Sequence, residues 1–281
     1  YLAATYAAVA AANAALDANA KAPNPYDYSS EKGEALMCRA YAHFMLTTLF
    51  AKPYDETQSK SDPGIPYVTK PETVVFGKYS RGTVQEDYDH IELDILHGLP
   101  LINDDIYKVP KYHFTKMASN AFAARFYLYK KDYQKAVSYA SAVFPSNSFV
   151  PNMRPWLTVY PTYTLNEFEQ NYTKATQNAN LLLIECPSLW ARDYYGSRFG
   201  FAPGMYSGTF FTSSNPAGIS PGRWIQTNWI YIINGQSNNA IPKWNEYFYA
   251  PDNPNYGEPY IMTPVLTTEE VLFNRAEAYI Y

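Results

Sequence analysis

Apolar residues recur at helical spacing through the first half of the chain. In residues 33–55, "GEALMCRAYAHFMLTTLFAKPYD", Glu34 and Arg39 are the only charges between Gly33 and Phe50. This apolar density predicts a helix that is buried on most of its sides. Because a lone buried charge is costly, we expect Arg39 to bind a carboxylate or a carbonyl group. Pro53 ends the helix, since the residue before a proline avoids the α conformation.

Further helices follow, with clear start and stop signals. Thr83 and Glu86 are spaced as a capping box, and the apolar residues after them recur every three or four positions until Gly98. Residues 115–144 predict two helices joined by a tight turn at Lys131-Asp132. We therefore predict helices at 31–50, 83–97, 115–130, 133–144 and 268–281, packed as antiparallel pairs.

Three of these helices share an arginine followed by an aromatic residue two or four positions later. The segments are "CRAYAHFML" at Arg39, "ARFYLYK" at Arg125 and "NRAEAYIY" at Arg275. Three alignable first helices indicate stacked helical pairs of tetratricopeptide-like type. The predicted fold class is mainly α, with helical pairs as a scaffold and a large, irregular, aromatic region. The third of these helices, at Arg275, is not followed by a second helix in this sequence.

Composition and residue pattern divide one incomplete domain, residues 1–281, into three parts. Residues 1–145 form the helical scaffold, residues 146–264 are loop-rich and aromatic, and residues 265–281 return to the scaffold. The middle part holds all five tryptophans and two strand-like runs, "NLLLIEC" and "WIYII". Because long loops in a compact domain tend to be functional, we predict ligand binding there.

Composition narrows the function further. The 281 residues have a net charge of −4 and a pI near 5.6, which argues against nucleic acid as a partner. No apolar run is long enough for a transmembrane helix. The chain contains 28 tyrosines, more than a core needs, and tyrosine-rich surfaces usually serve recognition. We expect Cys38 and Cys186 to be small apolar residues that are not bonded to each other.

The helix at 83–97 carries groups that resemble catalytic or metal sites. Its carboxylates could act as acid and base, but we interpret them as a solvated face opposite the apolar one: Glu86, Asp87, Asp89, Glu92 and Asp94. His90, Asp94 and His97 share a helical face, yet no second helix with ligands follows. We expect His43 to be a satisfied core histidine and His113 to be a lone loop histidine.

Other sequence motifs for phosphate binding, calcium binding or catalysis are incomplete. Gly200, Gly204 and Gly208 recur regularly without the lysine of a phosphate loop. The stretch "PDNPNYGEPY" at 251–260 lacks calcium-loop spacing and favours a turn, and no nucleophile elbow occurs. The residues therefore indicate neither an enzyme nor a cofactor or metal.

Binding has better support, because sugar rings stack on aromatic faces while polar side chains bind their hydroxyls. The stretches "LWARDYYGSR" and "RWIQTNW" interleave such residues. The candidate ligand-binding residues are Trp190, Arg192, Asp193, Tyr194, Tyr195, Tyr206, Trp224, Asn228 and Trp229. The alternative for each tryptophan is that it anchors a loop on the scaffold.

Five motifs, in order, resemble the SusD/RagB family of outer-membrane nutrient-binding lipoproteins. The stretch at 33–55 resembles the family's Gly-Glu-Ala opening, its Arg-Ala-aromatic helix and its proline exit. The other four are "DPGIPYVTKP" (62–71), "YSRGTVQEDYDHIELDI" (79–95), "MASNAFAARFYLYKKDYQKAVSYASAV" (117–143) and "LTTEEVLFNRAEAYIY" (266–281).

The resemblance implies a non-catalytic, surface-exposed and lipid-anchored protein of the outer membrane. Such a protein captures an oligosaccharide and passes it to a SusC-type TonB-dependent transporter. The signal peptide and lipidated cysteine of the family are absent from these residues, as is everything after the last motif, so we expect a fragment. Two alternatives stay open: capture of oligopeptides, and a pure protein-interaction scaffold.

Overall fold

The computed structural model describes residues 2–73, 77–156, 158–189, 230–233, 236–239, 243–253 and 256–281. The chain forms two compact units. The first comprises Tyr1–Asn152 with Leu266–Tyr281, and the second comprises Met153–Val265.

The first unit is built from helices. They are α1 (Leu2–Lys21), α2 (Ser29–Phe50), α3 (Val84–Gly98), α4 (Lys116–Tyr129), α5 (Tyr133–Val143) and, after the second unit, α7 (Thr268–Ala278). All five predicted helices are confirmed to within a few residues. No helix among the described residues is apolar over a sufficient length to cross a bilayer.

Helices α2 and α3 pack antiparallel, as predicted. Gly33 at the start of α2 lies against Gly98 at the end of α3, where a Cβ on Gly33 would come within 2.8 Å of the Gly98 carbonyl oxygen. At the other end of the pair, the Thr47 hydroxyl lies 3.5 Å from Asp87. The absence of side chains at Gly33 and Gly98 thus lets the two backbones meet.

The turn between α4 and α5 is as tight as the sequence predicts. Lys131 has a positive φ of 62°, which reverses the chain. Asp132 then caps α5 by accepting a hydrogen bond from the Lys135 amide at 3.2 Å. The Lys135 ammonium group lies 4.8 Å from the centre of the Tyr127 ring, and the Tyr139 ring stacks on Tyr127.

The long connection between α2 and α3 lies along α1. The Tyr6 hydroxyl donates to the Pro66 carbonyl at 2.9 Å, and the Asn13 amide donates to the Val68 carbonyl at 3.0 Å. We call residues 62–70 of this connection the strap. Ile65 of the strap is buried in a cluster with Val9, Ala42 and Leu46, and this cluster joins α1 to α2.

The described residues of the second unit form one short helix, α6 (Leu165–Tyr172), and two sheets. Strands β1 (Asn180–Pro187), β5 (Tyr256–Thr267) and β4 (Asn245–Asn253) form one sheet in the order β1-β5-β4. Strands β2 (Ile230–Ile233) and β3 (Gln236–Asn239) form an antiparallel pair. The two strand-like runs are confirmed as β1 and β2, whereas β4 and β5 were not predicted.

The capping box of α3 supports a first prediction. The Thr83 hydroxyl accepts from the Glu86 amide at 3.2 Å, and Glu86 accepts from the Thr83 amide at 2.7 Å. Thr83→Ala removes the cap and is expected to lower the free energy of unfolding by about 1 kcal/mol. Thr83→Ser keeps the hydroxyl and should restore most of that loss. Urea-induced unfolding followed by circular dichroism measures both, and equal losses would show that the cap is not responsible.

Candidate functional site

The nine residues predicted to bind ligand lie between Trp190 and Trp229. All of them are outside the described residues. Their contacts and mutual distances are therefore not part of the structure, and their role in binding stays a prediction.

The described part of the second unit has an aromatic sheet surface of its own. Strands β4 and β5 pair antiparallel, with Tyr247 opposite Tyr260 and Tyr249 opposite Glu258. Because side chains alternate along a strand, these four residues share one face of the hairpin, which we call the tyrosine face. The Tyr247 and Tyr260 rings lie 6.0 Å apart at 26°, and the Tyr249 and Tyr260 rings lie 5.5 Å apart at 68°.

The tyrosine face is open to solvent. Tyr249 is 51% exposed. Glu258 is also exposed, whereas Tyr247 and Tyr260 are half-buried. The opposite face anchors the hairpin, since Ile261 is buried there in a cluster with Trp244 and Cys186. The hairpin therefore holds three rings outward on a fixed base.

Gly257 allows this hairpin to form. A Cβ there would come within 2.2 Å of the Tyr249 carbonyl oxygen, a distance that no side chain can accommodate. The pairing also shifts between Tyr249 and Asn253, so the strand bulges next to this glycine. Sequence reasoning missed the hairpin because Pro259 and Pro264 interrupt a run that otherwise has high strand propensity. The signal that could have found it is the run of Tyr247, Phe248 and Tyr249.

A second aromatic cluster in this unit is structural. Tyr160, Phe168 and Tyr172 are buried, with Trp156 packed against them. The buried Arg154 guanidinium lies 3.9 Å from the centre of the Tyr172 ring and donates to the Asn180 side chain at 2.5 Å. These rings have their faces occupied by protein and are not available to a ligand.

In the first unit, the interpretation of the α3 carboxylates as a solvated face is wrong for two of them. Asp87 and Asp94 are 1% and 6% exposed. Asp94 binds Arg39 through two hydrogen bonds, from Nε at 2.8 Å and from Nη2 at 2.7 Å, and accepts a third from the Tyr67 hydroxyl at 3.0 Å. The predicted partner of Arg39 is thereby confirmed as a carboxylate, and the Thr69 carbonyl accepts a further hydrogen bond at 3.3 Å.

His43 is confirmed as a satisfied core histidine. Its Nε2 accepts from the Val68 amide at 3.1 Å, so Nδ1 carries the proton and donates to the Arg39 carbonyl at 3.0 Å. The pKa of His43 is lowered to about 3, chiefly by burial; the positive charge on Arg39 contributes to the lowering, and the hydrogen bond to the Arg39 carbonyl opposes it. Burial raises the pKa of the neighbouring Asp87 to about 6, although the Ile65 amide donates to its Oδ2 at 2.8 Å.

Two of the three residues considered as metal ligands, Asp94 and His90, have other partners. Asp94 is bound to Arg39, and the His90 ring stacks on Tyr67 at 4.8 Å. Within the described ranges, no three His, Cys, Asp or Glu side chains are grouped as metal ligands are. His113 is not the lone histidine expected, because its Nδ1 lies 2.9 Å from Glu34 and its ring stacks on Tyr107. Both cysteines are free, as predicted.

A cleft of about 430 Å³ lies between α1 and the connection that includes the strap. Its walls include Ala3, Ala7 and Ala10 of α1, and Tyr79 at its edge donates to Glu72 at 2.7 Å. The alanine methyl groups offer no flat stacking surface, and the hydroxyls of the two tyrosines that line the cleft, Tyr6 and Tyr79, already donate to Pro66 and Glu72. The cleft is therefore a poorer sugar site than the tyrosine face, despite its volume.

Most of the helical unit matches a known protein family in sequence. Residues 1–128 match the sequence model of a SusD-like family that is described as starch-binding and associating with the outer membrane. Over these residues the chain is similar to the SusD-like family. SusD-like proteins are binding proteins rather than enzymes. No curated protein matches the chain in sequence.

Solved structures share the fold over both units. A candidate sugar-binding protein from Bacteroides vulgatus aligns with 98% of the chain at 20% identity and a TM-score of 0.63. A SusD-like carbohydrate-binding protein from the same species aligns over 98% at 14% identity with a TM-score of 0.57. A SusD superfamily protein from Bacteroides thetaiotaomicron aligns over 66% at 23% identity with a TM-score of 0.51.

The chain spans only part of those proteins. It covers 59%, 56% and 38% of their respective lengths. At these identities the likeness shows the fold, which is mainly helical with a small sheet, as predicted.

Proposed function

We propose that this protein binds an oligosaccharide at the cell surface without catalysis and delivers it to a SusC-type TonB-dependent transporter. The observation that carries the proposal is the match of residues 1–128 to a family described as starch-binding and outer-membrane-associated. Attachment to the membrane would be through an N-terminal lipid outside this sequence. The tyrosine-rich composition supports recognition of a ligand with flat apolar faces.

The proposed binding region is the segment that contains Trp190, Trp224 and Trp229. Sugar binding needs flat apolar area held open to solvent, which loops on a rigid scaffold can provide and packed helices cannot. In the helical unit, large aromatic side chains such as Phe44, Phe122 and Phe126 are fully buried. The arginine, aspartate and asparagine residues beside the tryptophans would bind the sugar hydroxyls.

The experiment is alanine substitution of these three tryptophans one at a time. A glycan panel first identifies the oligosaccharide that the parent protein binds most tightly, and calorimetric titration then measures its affinity for each variant. If each stacked ring contributes about 1 kcal/mol, one loss lowers the affinity several-fold, and a double variant loses detectable binding.

The matched control is Tyr26→Ala, since Tyr26 is an aromatic residue of the helical unit that is 86% exposed. Its removal should leave the affinity unchanged. Circular dichroism confirms that each variant is folded. Three folded tryptophan variants that bind like the parent would show that these residues are loop anchors and that ligand binds elsewhere.

A further inference from the structure

We propose that the tyrosine face of the β4–β5 hairpin is a contact site for a neutral oligosaccharide. This inference rests on the proposed function and deepens it, because it places part of the binding surface on described residues and names the class of sugar. The site comprises Tyr247, Tyr249, Tyr260 and Glu258.

The geometry of the rings suits a sugar chain. Tyr247 and Tyr260 are nearly parallel, with centres 6.0 Å apart, and Tyr249 stands at a steep angle beside them. Because these two rings are stacked on each other, the C–H face of a pyranose would contact their outer faces and edges, and the inclined third ring would border that surface. The tyrosine hydroxyls at the ring edges can donate to and accept from sugar hydroxyls.

The exposure of these rings is not a by-product of core packing. The hairpin buries Ile261 on its other face, so its attachment to the unit does not require aromatic residues on the outward face. The register nevertheless brings three tyrosines together there, and Tyr249 is 51% exposed. Exposed, clustered aromatic rings are typical of recognition surfaces.

Charge restricts the sugars that this face can bind. Residues 245–262 contain Glu246, Asp252 and Glu258 and no lysine, arginine or histidine. Glu258, directly opposite Tyr249 in the register, is an acceptor for sugar hydroxyls. A uronic or sialic acid carboxylate would instead be repelled by it, and the nearest lysine in the sequence, Lys243, lies before β4, six residues from Tyr249. The face therefore favours neutral over acidic oligosaccharides.

The experiment compares Tyr249→Ala and Tyr260→Ala with Phe248→Ala. Phe248 lies between the two β4 tyrosines on the opposite face and is 49% exposed, so its variant removes an aromatic ring from the same hairpin without touching the site. The probes are neutral malto-, xylo-, cello- and manno-oligosaccharides and, as an acidic set, oligogalacturonides of matched length. Affinities are measured by calorimetry on variants whose folding is verified by circular dichroism.

We expect Tyr249→Ala and Tyr260→Ala to lower the affinity for the best neutral probe about three- to tenfold. Phe248→Ala should stay within about twofold of the parent. Glu258→Gln should narrow the preference for neutral over acidic probes, because it removes the repelling charge and keeps the shape. This change in preference would not arise from a purely structural role of Glu258.

The outcomes separate this inference from the proposed function. If the parent binds a neutral probe and both tyrosine variants bind it equally well, the site on the hairpin is wrong while the proposed function stands. A parent that prefers oligogalacturonides overturns the neutral-sugar assignment, and a parent that binds no probe overturns both. If the tyrosine variants lose association with a purified partner protein and retain sugar binding, the face is a protein interface and the inference fails.

Discussion

Replacing Asp94 with asparagine is expected to lower the free energy of unfolding by about 3–5 kcal/mol. Asp94 and Arg39 are joined by two hydrogen bonds of 2.8 and 2.7 Å, and their side chains are 8% and 11% exposed. Asparagine has nearly the same shape but no charge, so the Arg39 guanidinium would stay buried without a counter-ion. The cost of that unpaired charge is larger than the net value of the intact pair.

The matched control is Asp89→Asn on the same helix. Asp89 also lies near a cation, Lys130 at 3.2 Å, but its side chain is 53% exposed. Because solvent screens that pair, Asp89→Asn should lower the free energy of unfolding by less than about 1 kcal/mol. Urea-induced unfolding of both variants gives the comparison. If Asp94→Asn costs no more than Asp89→Asn, the buried pair does not hold α2 to α3.

Acidification is expected to destabilise the protein through His43. In the folded protein the pKa of His43 is lowered to about 3, chiefly because the ring is buried, against 6.5 for an unperturbed histidine. Below pH 6.5 the unfolded chain therefore binds a proton at this residue that the folded chain does not. Stability conferred by the neutral ring is complete above pH 6.5 and is lost as the pH falls toward 3.

The measurement is the free energy of unfolding of the parent and of His43→Gln between pH 7.5 and pH 4.5. Glutamine does not titrate, and its side-chain oxygen can accept from the Val68 amide as Nε2 does at 3.1 Å. We expect the parent to be more stable at pH 7.5 and its advantage to shrink by about 1.4 kcal/mol per pH unit below 6.5. A difference that is independent of pH would show that His43 has the same pKa in the folded and the unfolded protein.

The comparison with His43→Gln is needed because Asp87 titrates in the opposite direction. Its pKa is raised to about 6 by burial, so the folded protein gains stability as the pH falls through 6 toward 3.8. Parent and variant both contain Asp87, and its contribution largely cancels in the difference. His43→Phe, a second variant that does not titrate, should give the same slope with pH whatever its own stability at pH 7.5.

The helices could be predicted from the sequence because their signals are local. Thr83 and Glu86 satisfy each other's backbone amides three residues apart, and Asp132 caps α5 by bonding to Lys135. Apolar spacing fixes which face of α3 is buried, as the complete burial of Val84, Ile91 and Ile95 shows. The five ordered motifs that resemble the SusD/RagB family also lie in this helical unit.

The candidate site could not be predicted in the same way. The tyrosine face depends on the register that sets Tyr247 opposite Tyr260 and Tyr249 opposite Glu258. Pairing of two strands is decided by non-local hydrogen bonds and by a bulge that Gly257 permits, not by a periodic pattern within either strand. Two prolines further weakened the strand pattern, so the hairpin was missed.

The sequence by itself determined, to within a few residues, where α2, α3, α4, α5 and α7 begin and end, and it indicated the fold class. It also indicated that Arg39 needs a partner, because a buried charge requires one wherever it lies. Only the tertiary structure decided that the partner is Asp94, 55 residues away, and that Asp87 and Asp94 are buried rather than solvated. The physical reason is that a charged residue has the same letter in the sequence whether it is buried or exposed. Its burial depends on which distant segment of the chain the fold packs against it.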